Sequence, residues 1–401
     1  MSAPNQPSET IQTKAPSRAG LYAAIAVIVV IVVVVAGLYA AGYLTPKSKN
    51  STTGNACAST DLLGAGSTLV APLMDVWEIA YKTSSVNYQS VGSSAGISQI
   101  TAKTVDFGAS DAPLNTTQRA AIPGVLEIPE SAGAIAIIYH LPGITQTVNF
   151  TGTILAGIYL GILTNWNTSG LQAINPGITF PNQPISVVHR SDGSGTSFAF
   201  TDFLTHDNAT WAKDYGKTTL PTWPVGTGAK GNSGVAGDVQ DISDSIGYVD
   251  LVYALQSGIT FGAVKNPSGA FVKASLADGA SALADAVATA NNGQPLPSGG
   301  ESWFNVSLIN ANGAGDYPIV TFTYVMVYTA LDTAYAGSGN PYTLSKAEDL
   351  VNWLNWMVNA TEGQTFAPAV DYIVLPASVL AIDVTTIASI TYGGAAVPTC
   401  T

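Results

Sequence analysis

The chain has 401 residues, of which 47% are hydrophobic and only 10% charged, and its 26 acidic against 14 basic side chains give a formal net charge of −12 at pH 7. That length accommodates two domains of ordinary size, each with its own core, and so sparse a charge leaves a largely neutral polar surface. Nucleic acid is excluded as a partner on charge, because phosphate backbones are met by basic faces, and beyond residue 55 the chain carries 25 acidic against 10 basic groups.

Residues 1–18 are polar, include Lys14 and Arg18, and show no apolar periodicity, which predicts a short cytoplasmic tail. Residues 19–46 carry no charge and contain the run Ala23 to Leu44. Twenty helical residues span about 30 Å, enough for a bilayer. A cleaved secretory segment has an apolar stretch of only about 7 to 15 residues, so the run predicts a single-pass membrane anchor, or an uncleaved signal, ahead of an ectodomain outside the cell. Lys47 and Lys49 balance the two basic groups on the other flank, so charge does not orient the span. The outward orientation rests instead on seven N-x-Ser/Thr glycosylation sequons, at Asn50, Asn115, Asn149, Asn167, Asn208, Asn305 and Asn359.

Residues 47–57 are a Ser/Thr/Asn linker. The two cysteines, Cys57 and Cys400, stand at opposite ends of the ectodomain; a disulfide between them would tie its termini, and two free thiols is the other reading. A loop of that size is worth up to about 5 kcal/mol in the chain-entropy account.

From Asp61 on, strand patterns alternate with helical ones, which predicts an α/β fold. In Leu62 to Tyr81 an apolar strand runs into small residues, after which Leu69, Leu73, Val76 and Ala80 take helical spacing, with Thr68 placed where the helix should start. In Val86 to Ile100 a strand alternation gives way to Ser93 and Ser94 at a helix start. Ile185 to His189 is a third strand, followed by Ser194 and a helix with Phe200, Phe203 and Leu204 on one face. Farther on, Ile242 to Leu255 and Tyr317 to Ala330 read as strands, Leu350 to Val358 as a helix whose Trp353 and Met357 face the core, and Asn291 to Ser302 as a loop.

The hydroxyls at the three strand-to-helix turns bear on chemistry. A helix start has unpaired N–H groups and the positive end of the dipole, so it holds an anion without net positive charge. In HRSDGSGTSF (His189 to Phe198), Gly193 and Gly195 let the backbone approach a ligand, Ser194 and Thr196 add hydroxyls, and Arg190 offers a fork matched to tetrahedral oxyanions. Asp192 orients Arg190 or caps the turn. His189, next to Arg190 on a strand, points to the opposite face and is structural.

Four segments together, HRSDGSGTSF, GAGSTLVAPL (Gly64 to Leu73), GSSAGISQI (Gly92 to Ile100) and VDFGASDAPL (Val105 to Leu114), resemble the phosphate-binding proteins of the high-affinity phosphate ABC transporter. GNSGVAG (Gly231 to Gly237), SIGYVDLVYA (Ser245 to Ala254) and YPIVTFTYV (Tyr317 to Val325) extend the resemblance in the family's order. It implies a two-lobed periplasmic-binding-protein-like fold (type II), with lobe one at 58–138 plus 318–401 and lobe two at 139–317. It further implies inorganic phosphate as ligand, an ABC permease with its ATPase as partner, and no enzymatic activity. The implied phosphate-binding residues are Thr68, the main chain of Leu69, Ser93, Asp111, Arg190, Ser194, Gly195 and Thr196; at Leu69 the family commonly has an aromatic, which leaves the main-chain contact possible.

Asp111 fits such a site if the ligand carries a proton. Phosphate near neutral pH can donate a hydrogen bond to a carboxylate, whereas sulfate presents only lone pairs, and an unpaired buried carboxylate facing an anion costs several kcal/mol.

Other chemistries match less well. A serine hydrolase needs G-x-S-x-G around Ser194, but Asp192 and Thr196 stand at the glycine positions. A P-loop at Gly216 to Thr218 has Trp211 where its first glycine belongs, and the G-x-G-x-x-G at Gly226 to Gly231 follows no clean strand. Three histidines and two terminal cysteines give no metal-site spacing, and no cofactor is expected. A receptor for another tetrahedral oxyanion, a surface phosphatase-like enzyme and a non-binding surface glycoprotein remain as alternatives. The low charge also suggests acidic surroundings, since fewer carboxylates leave less to protonate.

Overall fold

The computed structural model describes residues 60–288 and 294–399. The apolar run 19–46, the sequon at Asn50, and both Cys57 and Cys400 lie outside the described residues. Among the described residues no helix is long and apolar enough to cross a membrane.

Eleven strands carry the architecture: β1 (Asp61–Gly66), β2 (Ser85–Ser90), β3 (Phe107–Ser110), β4 (Val125–His140), β5 (Asn149–Phe150), β6 (Ser186–Arg190), β7 (Thr227–Ala229), β8 (Ser245–Asp250), β9 (Ala263–Lys265), β10 (Phe271–Lys273) and β11 (Val320–Tyr328). Eight of them form one sheet in the order β2-β1-β3-β11-β4-β8-β6-β7. β1 pairs in parallel with β2 and β3, and β6 in parallel with β7 and β8. Parallel neighbours need crossovers, and helices supply them: α1 (Ala71–Ala80) and α2 (Ser93–Thr101) on one side of the molecule, α3 (Gly195–Asp207) and α4 (Gly231–Asp241) on the other. The result is a two-lobed α/β fold.

β4 joins the two sides. Its 16 residues reach about 53 Å when extended. Up to Ala134 it pairs antiparallel with β11, and from Ile135 it pairs antiparallel with β8. All of it except His140 is buried, so a single strand runs through the middle of the molecule with both faces covered.

Two boundaries differ from the sequence expectation. α1 begins at Ala71, not at Thr68, because Pro72 lacks an N–H and is accommodated in a first turn. That leaves Ser67, Thr68 and Leu69 as a free-standing turn. The strand expected across Ile242 to Leu255 ends at Asp250, whose side chain accepts from the Val252 amide and starts the helix Leu251–Gln256. The helix over Leu350 to Val358 extends from Leu344 to Val358, and Trp353 and Met357 are fully buried, as expected.

α2 lies unusually close to the sheet. A Cβ on Gly96 would come within 2.5 Å of the Gly66 Cα and 2.6 Å of the Ala65 carbonyl oxygen. Only glycine allows this approach, which sets Ser93 at the end of β1. Gly96→Ala is therefore expected to destabilise the fold by about 1–3 kcal/mol through overpacking against backbone that cannot move aside, measured as a lower denaturant midpoint; an unchanged midpoint would show that α2 has room to shift.

Candidate functional site

Four chain turns at the ends of parallel strands meet at one point. After β1, Ser67 Oγ donates to Asp111 Oδ2 (2.7 Å) and accepts from the Leu69 amide (2.9 Å). Thr68 Oγ1 accepts from Asn232 Nδ2 (2.9 Å) and the Asn232 amide (3.3 Å), and the Thr68 carbonyl accepts from Tyr253 Oη (2.5 Å). After β2, Ser93 opens α2, and its Oγ accepts from the Gly195 amide at 2.9 Å and lies 3.5 Å from Asp111 Oδ2. Asp111 itself follows β3 directly.

On the facing side, Ser194 is the N-cap of α3, its side chain accepting from the Ser197 amide (3.0 Å). Gly195 packs against Asp111, where a Cβ would stand 2.5 Å from the Asp111 Cβ. Thr196 Oγ1 accepts from Arg190 Nη1 (3.4 Å) and Asn232 Nδ2 (3.3 Å). The structure thus brings Thr68, Ser93, Asp111, Arg190, Ser194, Gly195 and Thr196 together, all of them buried. Leu69 differs: its amide is taken by Ser67 Oγ within the turn, because the delayed helix start curls the chain back on itself.

Arg190 is 2% exposed. Its Nε and Nη2 donate to Asp192 Oδ1 (2.8 Å) and Oδ2 (2.6 Å), a bidentate pair that fixes the guanidinium plane. Burial opposes ionisation of Asp192, but the Arg190 guanidinium and the Gly231 amide outweigh it and hold the carboxyl below its ordinary range. His189 stacks on Trp223 with ring centroids 5.0 Å apart, away from the site.

Burial pushes the Asp111 carboxyl up to about 6, against the lowering influence of Ser67, Thr323, Arg190 and Ser93. Its Oδ1 has no partner among the described residues. Behind it, burial pushes Glu130 up to about 8 even though Thr323 Oγ1 donates to Glu130 Oε1 at 3.0 Å. Chemically this is a compact set of hydroxyl, amide and guanidinium donors suited to a tetrahedral anion, with one carboxylate in their midst whose Oδ1 stays open to a further hydrogen-bond donor.

The PBP superfamily domain matches residues 51–361. The phosphate-binding protein PstS of Xylella fastidiosa is 37% identical over 287 residues, covering 71% of this chain and 74% of its own length. The chain belongs to the phosphate-binding protein family. A family member from the archaeon Methanocaldococcus jannaschii, also named phosphate-binding protein PstS, is 30% identical over 74% of this chain and 77% of that one. Among solved structures, a high-affinity periplasmic phosphate-binding protein bound with phosphate superposes with a TM-score of 0.60 at 20% identity, covering 80% of this chain and 92% of its own. The phosphate-binding protein of Stenotrophomonas maltophilia gives 0.59 at 18%, covering 82% and 94%. At that identity the likeness concerns the fold.

Sequence reasoning left out Ser67, Asn232, Thr323 and Glu130. Ser67 stands beside Thr68 in the same turn and could have been read from it, and Asn232 lies within GNSGVAG. Thr323 and Glu130 carry no local signal.

The raised carboxyls set a sign for the effect of pH on stability. Asp111 and Glu130 bind their protons more tightly folded than unfolded, so their stabilisation is complete below about pH 4 and is lost as pH rises through about 6 and about 8. The melting temperature of the ligand-free protein is therefore expected to fall as pH is raised from 5 to 8.5; calorimetry showing a rise over that interval would contradict it.

Proposed function

We infer that this family member is an extracytoplasmic receptor that binds inorganic phosphate between its two lobes and hands it to an ABC permease with its ATPase. The observation that carries the reading is the unpartnered Oδ1 of Asp111, buried within a ring of donors. A fully ionised anion would meet that oxygen as lone pair against lone pair, while a protonated phosphate oxygen donates to it. In the bound state Thr68, Ser93, Arg190, Ser194, Gly195 and Thr196 would supply donors, and the Gly195 amide would exchange Ser93 Oγ for a phosphate oxygen. Leu69 would join them only if its amide let go of Ser67.

The assignment of lobe one to 58–138 plus 318–401 and of lobe two to 139–317 is supported by β4 changing partner between Ala134 and Ile135. A binding role rather than catalysis is supported by His189 stacking on Trp223, so that this nearby base does not face the Ser194 hydroxyl, whose oxygen accepts from the Ser197 amide while its proton stays free to donate. Placement outside the cytoplasm accords with the periplasmic phosphate-binding protein of the same fold. The run 19–46 would tether the receptor, and a Cys57–Cys400 bridge would close its ends. Asn167 and Asn305 are exposed and best placed to carry glycans, whereas Asn149 Nδ2 already donates to the Ile174 carbonyl.

Calorimetric titration of the full chain in detergent is expected to give tight one-site binding of phosphate and none of sulfate; equal affinity for the two would sink the reading. In the same assay Asp111→Asn is expected to weaken phosphate by about 10- to 100-fold and to narrow the discrimination against sulfate, as removal of a charge-assisted hydrogen bond worth about 1.5–3 kcal/mol requires. Arg190→Lys is expected to lose at least about tenfold, since lysine cannot satisfy Asp192 and Thr196 with one planar fork.

A further inference from the structure

Behind the anion site stands a second buried acid with no place in the binding scheme so far. β4 and β11 are out of step at one point: Thr323 faces Ser131 while Tyr324 faces Pro129, and Glu130 is the extra residue of the resulting bulge. Bulges re-aim side chains, and this one directs Glu130 inward, fully buried, where it makes no ion pair among the described residues. Its Oε1 lies 3.0 Å from Thr323 Oγ1, and its Oε2 has no partner among the described residues. Thr323 also acts on the carboxyl of Asp111. The titratable groups facing Glu130 are Asp111, from the end of β3, and Tyr88, from β2; the nearby cation Arg190 acts on Asp111.

Thr323 thus stands between two carboxyl groups with one proton to give. If Glu130 is ionised, the hydroxyl is drawn to it and Asp111 loses a donor. If Glu130 carries a proton, the same 3.0 Å contact reverses: Glu130 donates to Thr323 Oγ1, and the Thr323 hydroxyl is free to donate to Asp111. We propose that Glu130 is a positioning residue for anion recognition, which in its protonated form feeds a donor chain through Thr323 that holds Asp111 as an ionised acceptor for the proton of the ligand. An ionised Glu130 has the opposite effect twice over, withdrawing that donor and placing a second negative charge behind the bound anion. Burial, which dominates over the hydroxyl of Thr323 and is reinforced by Asp111, pushes the Glu130 carboxyl up to about 8 and keeps it protonated at neutral pH and below. This inference rests on phosphate being the ligand.

The test is phosphate titration of the full chain from pH 6 to pH 9.5, set beside Glu130→Gln, whose amide remains a donor at every pH. Because both proteins see the same change in phosphate ionisation, the ratio of their affinities isolates Glu130. The wild type is expected to lose about tenfold relative to Glu130→Gln between pH 7 and pH 9, the linkage expected of one required proton near pH 8. Superimposable profiles in two proteins that both bind phosphate would overturn the proposal, and absence of phosphate binding in both at every pH would instead remove the phosphate reading beneath it. If Glu130→Gln does not fold, Thr323 decides: Thr323→Val is expected to weaken phosphate binding at pH 6.5 by about tenfold, one hydrogen bond to a charged group. Thr323→Ser is expected to restore it, and a valine variant that binds as tightly as wild type overturns the relay.

Discussion

Burying Asp111 constrains everything around it. An isolated carboxylate taken out of water costs several kcal/mol or more unless donors replace the lost hydration, so the chain has to deliver those donors from distant places to one point. It does so from the turn after β1 (Ser67) and the start of α2 (Ser93), with Arg190 acting through its charge. Gly195 completes the arrangement by having no side chain, since any Cβ there would collide with Asp111. The donors are neutral groups and one arginine that is already paired with Asp192, which explains how so acidic a chain can form a surface for an anion.

The parts of this arrangement that depend on local chain geometry can be read from the amino-acid order. HRSDGSGTSF encodes a strand end, a polar turn and a helix start: Asp192 grips Arg190 and His189 faces away as its order suggests, while Ser194 caps the helix. Ser93 opens its helix directly after Gly92, whose φ of +100° turns the chain out of β2. Where a local rule overrides the apolar periodicity the boundary shifts, as at Thr68, which Pro72 leaves outside α1 and thereby frees to accept from Asn232.

Features that depend on tertiary neighbours were not legible. β4 is the longest strand, but burial on both faces removes the in–out alternation, and Pro129 and Gly133 interrupt its pattern. The bulge at Glu130 exists only because β11 pairs with β4 out of step, nearly 200 residues away along the chain. Asn232, whose Nδ2 reaches Thr68 and Thr196 and whose Oδ1 accepts from the Asp250 amide, gains its partners in the same way. Periodicity and turn chemistry describe a segment's own preferences, and these residues are defined by their partners.

The continuity of β4 has a consequence for discrimination by size. The strand passes unbroken from β11 to β8 with its change of partner confined to the step from Ala134 to Ile135, next to Tyr317 Oη bonded to the Ile135 carbonyl. Two bodies joined at this seam tilt more readily than they slide apart, so the spacing between Thr68 and Asn232 varies with an angle more than with a length. An oversized anion would hold that angle open and strain the bonds that cross it, Thr68 with Asn232 and Ser93 with Gly195 among them, which makes these contacts a gauge of how well a guest fits.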